Sequence, residues 1–346
     1  MTTRSTASKL PRSAPTLEEV AARAGVSRAT ASRALRGASN VSDRAREQVT
    51  AAARAIAYTP NHAARSLVTG RSDSVAFVID ETEERMFSDP FFLGMLRSAH
   101  EAVTVAGLQL VFTVMTSRED HDRFVSYAAG GHVDGVLLLS LHDRDELPRQ
   151  LEELGVPTVL SGRPPRQASG VYYVDADNVS GGRLATQHLL KGGRRSVATV
   201  TGPLDMGAGQ DRLTGYREAL ALAGIAFDEG LVAEAEFTSA SGFEVMTELI
   251  RRRPDIDGLF AASDLIAVGA IRAIRAAGRR IPEDVAIVGF DDIPGAAEMD
   301  PPLTTVRQPV AELGAGMTRL LLDRIEGRDP MRGKVLPVEL VVRRSA

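Results

Sequence analysis

From residue 74 onward, short apolar runs alternate with stretches of helical periodicity, and that alternation leaves few folds open. The apolar runs fall at 74–79, 109–114, 135–139, 157–160, 171–174, 196–200, 231–235, 258–261 and 285–289. Helical patterns fill most of the gaps, as at 92–106, 210–223 and 265–276. Strands separated by helices of that length form parallel α/β sheets with right-handed crossovers. Nine or more strands suit one large sheet or two smaller ones. Two lobes of about six strands each, joined by crossovers, are the expectation for residues 74–346.

Open sheets of this kind bind ligands outside the carboxyl ends of their strands. Asp80 and the loop to Phe92 follow the first run, Ser140 the third, and Ser161-Gly162-Arg163 the fourth. Arg212 lies in the loop-to-helix stretch after 196–200; Asp264 follows 258–261, and Asp291-Asp292 follow 285–289. Acids, arginines and hydroxyls that converge on a cleft suit a ligand dense in hydroxyl groups, with Phe91, Phe92 and Phe290 as apolar walls. The candidate ligand set is Phe92, Arg163, Arg212, Asp264 and Asp291. A lone Asp or Arg at a strand end is also a common helix cap or structural ion pair, and for Asp264 and Arg163 the two readings stand level. The run Glu81, Glu83, Glu84 reads as a solvated loop or as one edge of the cleft.

The first 70 residues are of another kind. They hold eleven Lys and Arg against four acids, a charge of +7, while the remainder carries −11. A small basic head on a large acidic body suits a polyanionic partner, although a solvated basic surface has the same composition. Residues 1–15 lack aliphatic periodicity and read as a flexible arm; without an apolar core they are not a secretory signal. Thr16-Leu17-Glu18-Glu19 is a capping box, in which hydroxyl and carboxylate each satisfy an orphan backbone N–H. Leu17, Val20, Ala21 and Ala24 share one helical face. Gly25 can take the left-handed conformation that ends a helix, and Ser27 can cap the next one. Ala31, Ala34 and Leu35 give the second helix its buried stripe. A third helix, about 42–57, turns Val49, Ala53 and Ile56 inward. Two short helices about a glycine turn make a helix-turn-helix over a headpiece at 16–59.

With the core stripe assigned, Arg28, Ala29, Ser32 and Arg33 face outward. A second helix entering the major groove by its first turn brings positions 28 and 29 to base edges, and Arg33 reaches guanine O6 and N7 as a bidentate donor. Thr30 and Ser32 suit phosphate oxygens. The alternative is a three-helix bundle whose polar face is merely solvated. Residues 60–73 follow as a hinge and linker. Pro60 breaks the third helix, and Asn61 can cap a new one too short to be stable alone. Leu67 has nothing obvious to bury it. It can wedge into the minor groove and unstack a base step, or pack on the body as part of a linker.

Two motifs carry a resemblance: TLEEVAARAGVSRATASRALR at 16–36 and YTPNHAARSL at 58–67. Together with the body, they resemble the lactose-repressor type (LacI/GalR) of bacterial transcription regulators along nearly the whole chain after residue 15. The resemblance implies an all-α helix-turn-helix headpiece with a hinge helix, then a two-lobed α/β effector domain like that of periplasmic sugar-binding proteins. It implies groove-reading roles for Arg28, Ala29 and Arg33, and central-step roles for Ala64 and Leu67. The full DNA-contacting set is then Thr16, Ser27, Arg28, Ala29, Thr30, Ser32, Arg33, Asn61, Ala64 and Leu67. Arg212 in G-x-x-D-R-x-x-G-Y and Asp291 in V-G-F-D-D match effector-contacting positions. Ala31 departs from the valine usual there and buries less surface.

The expected partners are pseudo-palindromic double-stranded operator DNA, a second copy of the chain, and a small effector. A sugar inducer that releases the operator is preferred, and a nucleobase corepressor is the alternative. With no cysteine, thiolate zinc sites, iron–sulfur clusters and cysteine nucleophiles are excluded. No phosphate loop, G-x-G-x-x-G, G-x-S-x-G or H-E-x-x-H is present, and the six histidines show no ligand spacing. No catalytic residue, metal or cofactor is expected. No apolar run approaches the ~18 residues of a membrane helix, and the expected location is the cytoplasm.

Overall fold

The computed structural model describes residues 15–35, 37–38, 40–59, 70–143, 145–164 and 170–346. The chain divides into two compact units, Met1–Ser72 and Asp73–Ala346.

Among the described residues, the first unit holds three helices: α1 (Leu17–Ala24), α2 (Arg28–Leu35) and α3 (Asp43–Ala55). The capping box forms: Thr16 Oγ1 accepts from Glu19 N at 3.3 Å, and Glu19 Oε2 accepts from Thr16 N at 2.8 Å. Gly25 ends α1 at φ 66°, which a glycine adopts without steric cost. Ser42 caps α3, which stops at Ala55, and Ile56 is half-buried beyond it. The core is Val20, Ala21, Ala31, Ala34, Val41, Val49, Ala52 and Ala53, mostly small side chains that let short helices approach closely.

The second unit holds two six-stranded sheets. The N-terminal lobe contains β1 (Ser74–Asp80), β2 (Gln109–Met115), β3 (Gly135–Leu139), β4 (Thr158–Ser161), β5 (Tyr172–Ala176) and β11 (Gly333–Leu336), in the order β11-β5-β4-β3-β1-β2. The C-terminal lobe contains β6 (Val197–Thr201), β7 (Val232–Glu234), β8 (Gly258–Ala261), β9 (Ala286–Asp291), β10 (Thr304–Arg307) and β12 (Glu339–Val341), in the order β12-β10-β9-β8-β6-β7. Among the described residues, every pairing is parallel except β10 with β12.

Parallel sheets are covered on both faces, and the burial shows it. Along β1, Val75, Phe77 and Ile79 join one apolar cluster while Ala76 and Val78 join another. The first cluster includes residues of α5 (Pro90–Val105) and α12 (Val310–Ile325), which follows β10 yet packs on the N-terminal lobe. The chain therefore passes between lobes three times: after β5, after β10 and between β11 and β12.

All nine expected strands are present, two of them at the expected bounds and the others with ends displaced by one or two residues. The three strands not expected are β10, β11 and β12. β11 and β12 are short and carry exposed or half-buried residues, so they show neither a buried run nor a strict alternation. No helix among the described residues is long and apolar enough to cross a membrane.

Candidate functional site

In the headpiece, α2 exposes part of the expected face. Arg28 and Ala29 are exposed, and Arg28 Nε lies 3.0 Å from Glu18 Oε1 of α1. Thr30, Ser32 and Arg33 are half-buried. Ser27 Oγ accepts from Thr30 N at 3.1 Å and shares a hydrogen bond with the Thr30 hydroxyl at 2.9 Å, so both side chains serve the start of the helix. Thr16 serves its capping box. The Arg33 Nε is buried with no hydrogen-bond partner. Asn61, Ala64 and Leu67 lie outside the described residues.

In the second unit, one cleft between the lobes gathers most of the strand-end residues. Its lining includes Phe91, Phe92, Ser161, Arg163, Asp175, Asn178, Arg212, Phe237, Asp291 and Gln308. Arg212 is its best-anchored member. It stands on α9 (Gly207–Leu222), which packs on α8 (Asn178–Lys191). Gly182 permits that approach, since a Cβ there would meet Arg212 O at 2.3 Å. The buried guanidinium donates from Nε to Asn178 Oδ1 at 2.8 Å and from Nη1 to the Ala262 carbonyl at 2.5 Å. It lies 3.7 Å above the Phe290 ring centre and 3.7 Å from Asp291 Oδ1. Asn178 Nδ2 donates onward to Asp175 Oδ1 at 3.0 Å, and Asp291 Oδ1 accepts from Gln308 Nε2 at 2.6 Å.

These groups are held under electrostatic tension. Burial pushes Asp291 up to about 7, with the Arg212 charge opposing it, and pushes Asp175 up to about 6 against Arg163. Burial likewise raises Asp89 and lowers Arg212. Asp291 also sits at φ 117° and Asp292 at φ 57°, in the left-handed half of backbone space. Non-glycine residues held there cost of order 1–3 kcal/mol each and cluster at ligand sites.

The candidate ligand residues separate. Phe92, Arg163, Arg212 and Asp291 line the cleft. Arg163 pairs across the lobes with Asp211 and lies 3.8 Å from Asp175. Asp264 is not part of the lining: it is fully buried, accepting from Thr305 Oγ1 at 2.6 Å and from Ile293 N at 2.9 Å. Its carboxylate ties the strand ends together, which is the structural reading open to it from the outset. Phe290 lies beneath Arg212 and is not a wall. Glu81 is buried against Arg85, whereas Glu83 and Glu84 are exposed at the start of α4 (Glu83–Ser88).

Sequence reasoning missed Arg85, Asp89, Asp175, Asn178, Phe237 and Gln308 as lining residues. Asp175 and Asn178 were within reach of the strand-end rule, but β5 runs two residues further than its apolar run. Gln308 follows β10, an unread strand. Arg85 carried no signal in its acidic surroundings. Among the described residues there is no group of three or more His, Cys, Asp or Glu arranged to hold a metal.

Residues 16–61 match the bacterial regulatory proteins of the lacI family, and residues 186–346 match a periplasmic binding protein-like domain. The chain is 50% identical to the HTH-type transcriptional regulator CelR of Thermobifida fusca, over 96% of this chain and 98% of that one. A solved CelR–cellobiose complex superposes with a TM-score of 0.78 at 48% identity, covering 96% of this chain and 100% of the other. The Lac repressor dimer bound to operator and the anti-inducer ONPF gives a TM-score of 0.83 at 26% identity, covering 96% and 99%.

Proposed function

The chain belongs to the lacI family of bacterial regulatory proteins, and from this premise we propose that it is a cytoplasmic, non-enzymatic repressor that leaves its operator when the cleft takes up a neutral gluco-disaccharide. The observation that carries the ligand class is the charge balance of the lining. Each of its three arginines has a carboxylate partner: Arg85 has Glu81, Arg163 has Asp211 and Arg212 has Asp291. No surplus positive charge is left for a phosphorylated ligand. Directional donors and acceptors set between Phe91, Phe92 and Phe237 suit a ring bearing hydroxyls on its edge and C–H groups on its faces. The complex of the similar CelR with cellobiose favours a β-linked glucose pair over a nucleobase corepressor.

Effector contacts fall to Phe92, Arg163, Arg212 and Asp291, while Asp264 supports the strand ends behind them. In the head, Arg28, Ala29 and Arg33 read base edges, and Thr16, Ser27, Thr30 and Ser32 meet the phosphate backbone around them. Asn61, Ala64 and Leu67 contact the DNA at the centre of the site. One reading helix spans only a few base pairs, so two copies act on a pseudo-palindrome. Exposed Phe87 and Leu93, on α4 and α5, support a second copy docking there. A gel shift on the chain's own promoter DNA, with and without cellobiose, tests the proposal. Release of the operator by cellobiose supports it; tighter operator binding with a purine base, or a strictly monomeric mass on and off DNA, overturns it.

A further inference from the structure

We propose that Arg85 is a specificity-determining residue of this cleft, its Nε–H reserved for one oxygen of the bound effector. The inference rests on the reading that a neutral sugar enters here, and it adds a residue outside the strand-end set.

Arg85 projects from α4, between β1 and α5. Its guanidinium is fixed from its own lobe. It pairs with Glu81, and Nη1 lies 3.4 Å from Ser140 Oγ, which itself donates to Glu81 Oε1 at 2.6 Å. The Phe92 ring centre is 5.5 Å away. The other side is covered from the opposite lobe, by the Phe237 ring at 4.9 Å and by Met206 Sδ at 3.9 Å. Between these supports the Nε is buried and has no hydrogen-bond partner.

A buried cationic donor without an acceptor is costly, and such groups are rare in native proteins. The other buried arginine of the cleft differs: Arg212 commits its Nε to Asn178. Asp89, Glu236 and Asp291 act on Arg85 by charge, and no acceptor among the described residues is hydrogen-bonded to its Nε, so an oxygen of the ligand can supply that partner. Phe237 and Met206 belong to the lobe across the cleft, so the parting of the lobes that admits a sugar is the motion that uncovers Arg85. The planar fork, held by Glu81 and Ser140, then presents Nε in one direction. A donor fixed in this way discriminates by position on the sugar, because an analogue lacking that hydroxyl leaves it unpaired.

The test is a calorimetric series on the full-length protein, titrating cellobiose and each of its monodeoxy analogues into wild type and Arg85→Lys. Lysine keeps the cation beside Glu81 and removes the fixed Nε–H. For wild type, one analogue should bind about tenfold or more weaker than cellobiose for want of a charge-assisted bond. In Arg85→Lys, that gap should close while the gaps of the other analogues persist. If lysine folds poorly, the neutral pair Glu81→Gln/Arg85→Met makes the same comparison. Affinities that fall by one common factor for all analogues, or gaps identical to wild type, overturn the proposal. If wild type does not bind cellobiose, the effector assignment fails on its own, and the series moves to whichever of laminaribiose, maltose or xylobiose binds, with the same two outcomes. If none of these binds, both readings fall.

Discussion

The head leaves Arg28, on its proposed reading face, in the open, whereas the body buries the central arginine of its cleft. The side chain of Arg28 is 71% exposed and that of Arg212 is 6% exposed. In water, a cation acts through number and is screened by salt. In a closed cleft the same group acts through geometry, and each unmatched charge is expensive. The head can therefore be a small alanine-rich bundle, because its core need only hold one helix face outward. The body needs two sheets covered on both faces to hold Arg212, Asn178, Asp175, Asp291 and Gln308 in register.

Salt gives the widest separation between the two. Operator affinity should fall on the order of a thousandfold between roughly 50 and 200 mM salt, as expected when several phosphates are neutralised. Cellobiose affinity should hardly move over the same range. A sugar affinity that tracked ionic strength would break the contrast.

Arg212→Ala comes next. It leaves Asp291 and Asp175 buried without their shared cation, a loss of about 3–5 kcal/mol when one member of a buried pair is removed. Effector binding should fall well beyond tenfold by calorimetry (~1.4 kcal/mol per decade), with a lowered melting temperature for the body. Operator binding without effector should persist. Unchanged effector affinity would place the site elsewhere.

Arg33→Ala acts on the other side of the comparison. It should cost about 1–3 kcal/mol per contact and relax preference at one symmetric base pair. Selection from a randomised operator library reads this directly, and unchanged base preference would reject the docking of α2.

The smallest effect is a pH slope confined to the body. Asp291 is raised to about 7 and Asp175 to about 6, both above the unfolded carboxyl. The folded state binds extra protons in that window, so the stability they contribute is complete below about pH 4 and is lost as pH rises through 6 and then 7. Effector-free protein should melt higher near pH 5.5 than near pH 8, roughly in step with that proton uptake. Asp291→Asn should flatten the upper part of the slope. A slope that survived the substitution intact would remove Asp291 as its source.

Local chemistry made the head legible from sequence. A capping box, a left-handed glycine and a three-four apolar stripe are all written within a few residues of one another, and α1, α2 and the core of Val20, Ala21, Ala31 and Ala34 follow from them. The alternation of apolar runs likewise made nine strands and the two-lobed division readable, since a strand buried on both faces must be continuously apolar. The edge strands β11 and β12 escaped because their pairing comes from distant chain and leaves no periodicity of its own. The cleft was half-visible for a related reason. Asp291 stands at a strand end and Arg212 on the helix that follows one, both in motifs, so sequence position pointed to them. Arg85, Phe237 and Asp264 took their roles from partners far away in sequence: Arg85 from Phe237 and Met206 in the opposite lobe, Asp264 from Thr305 on β10. Whether a charged side chain faces a ligand or closes a strand end depends on which carbonyls, rings and hydroxyls the crossovers bring to it, and that is a property of packing across the chain, not of spacing along it.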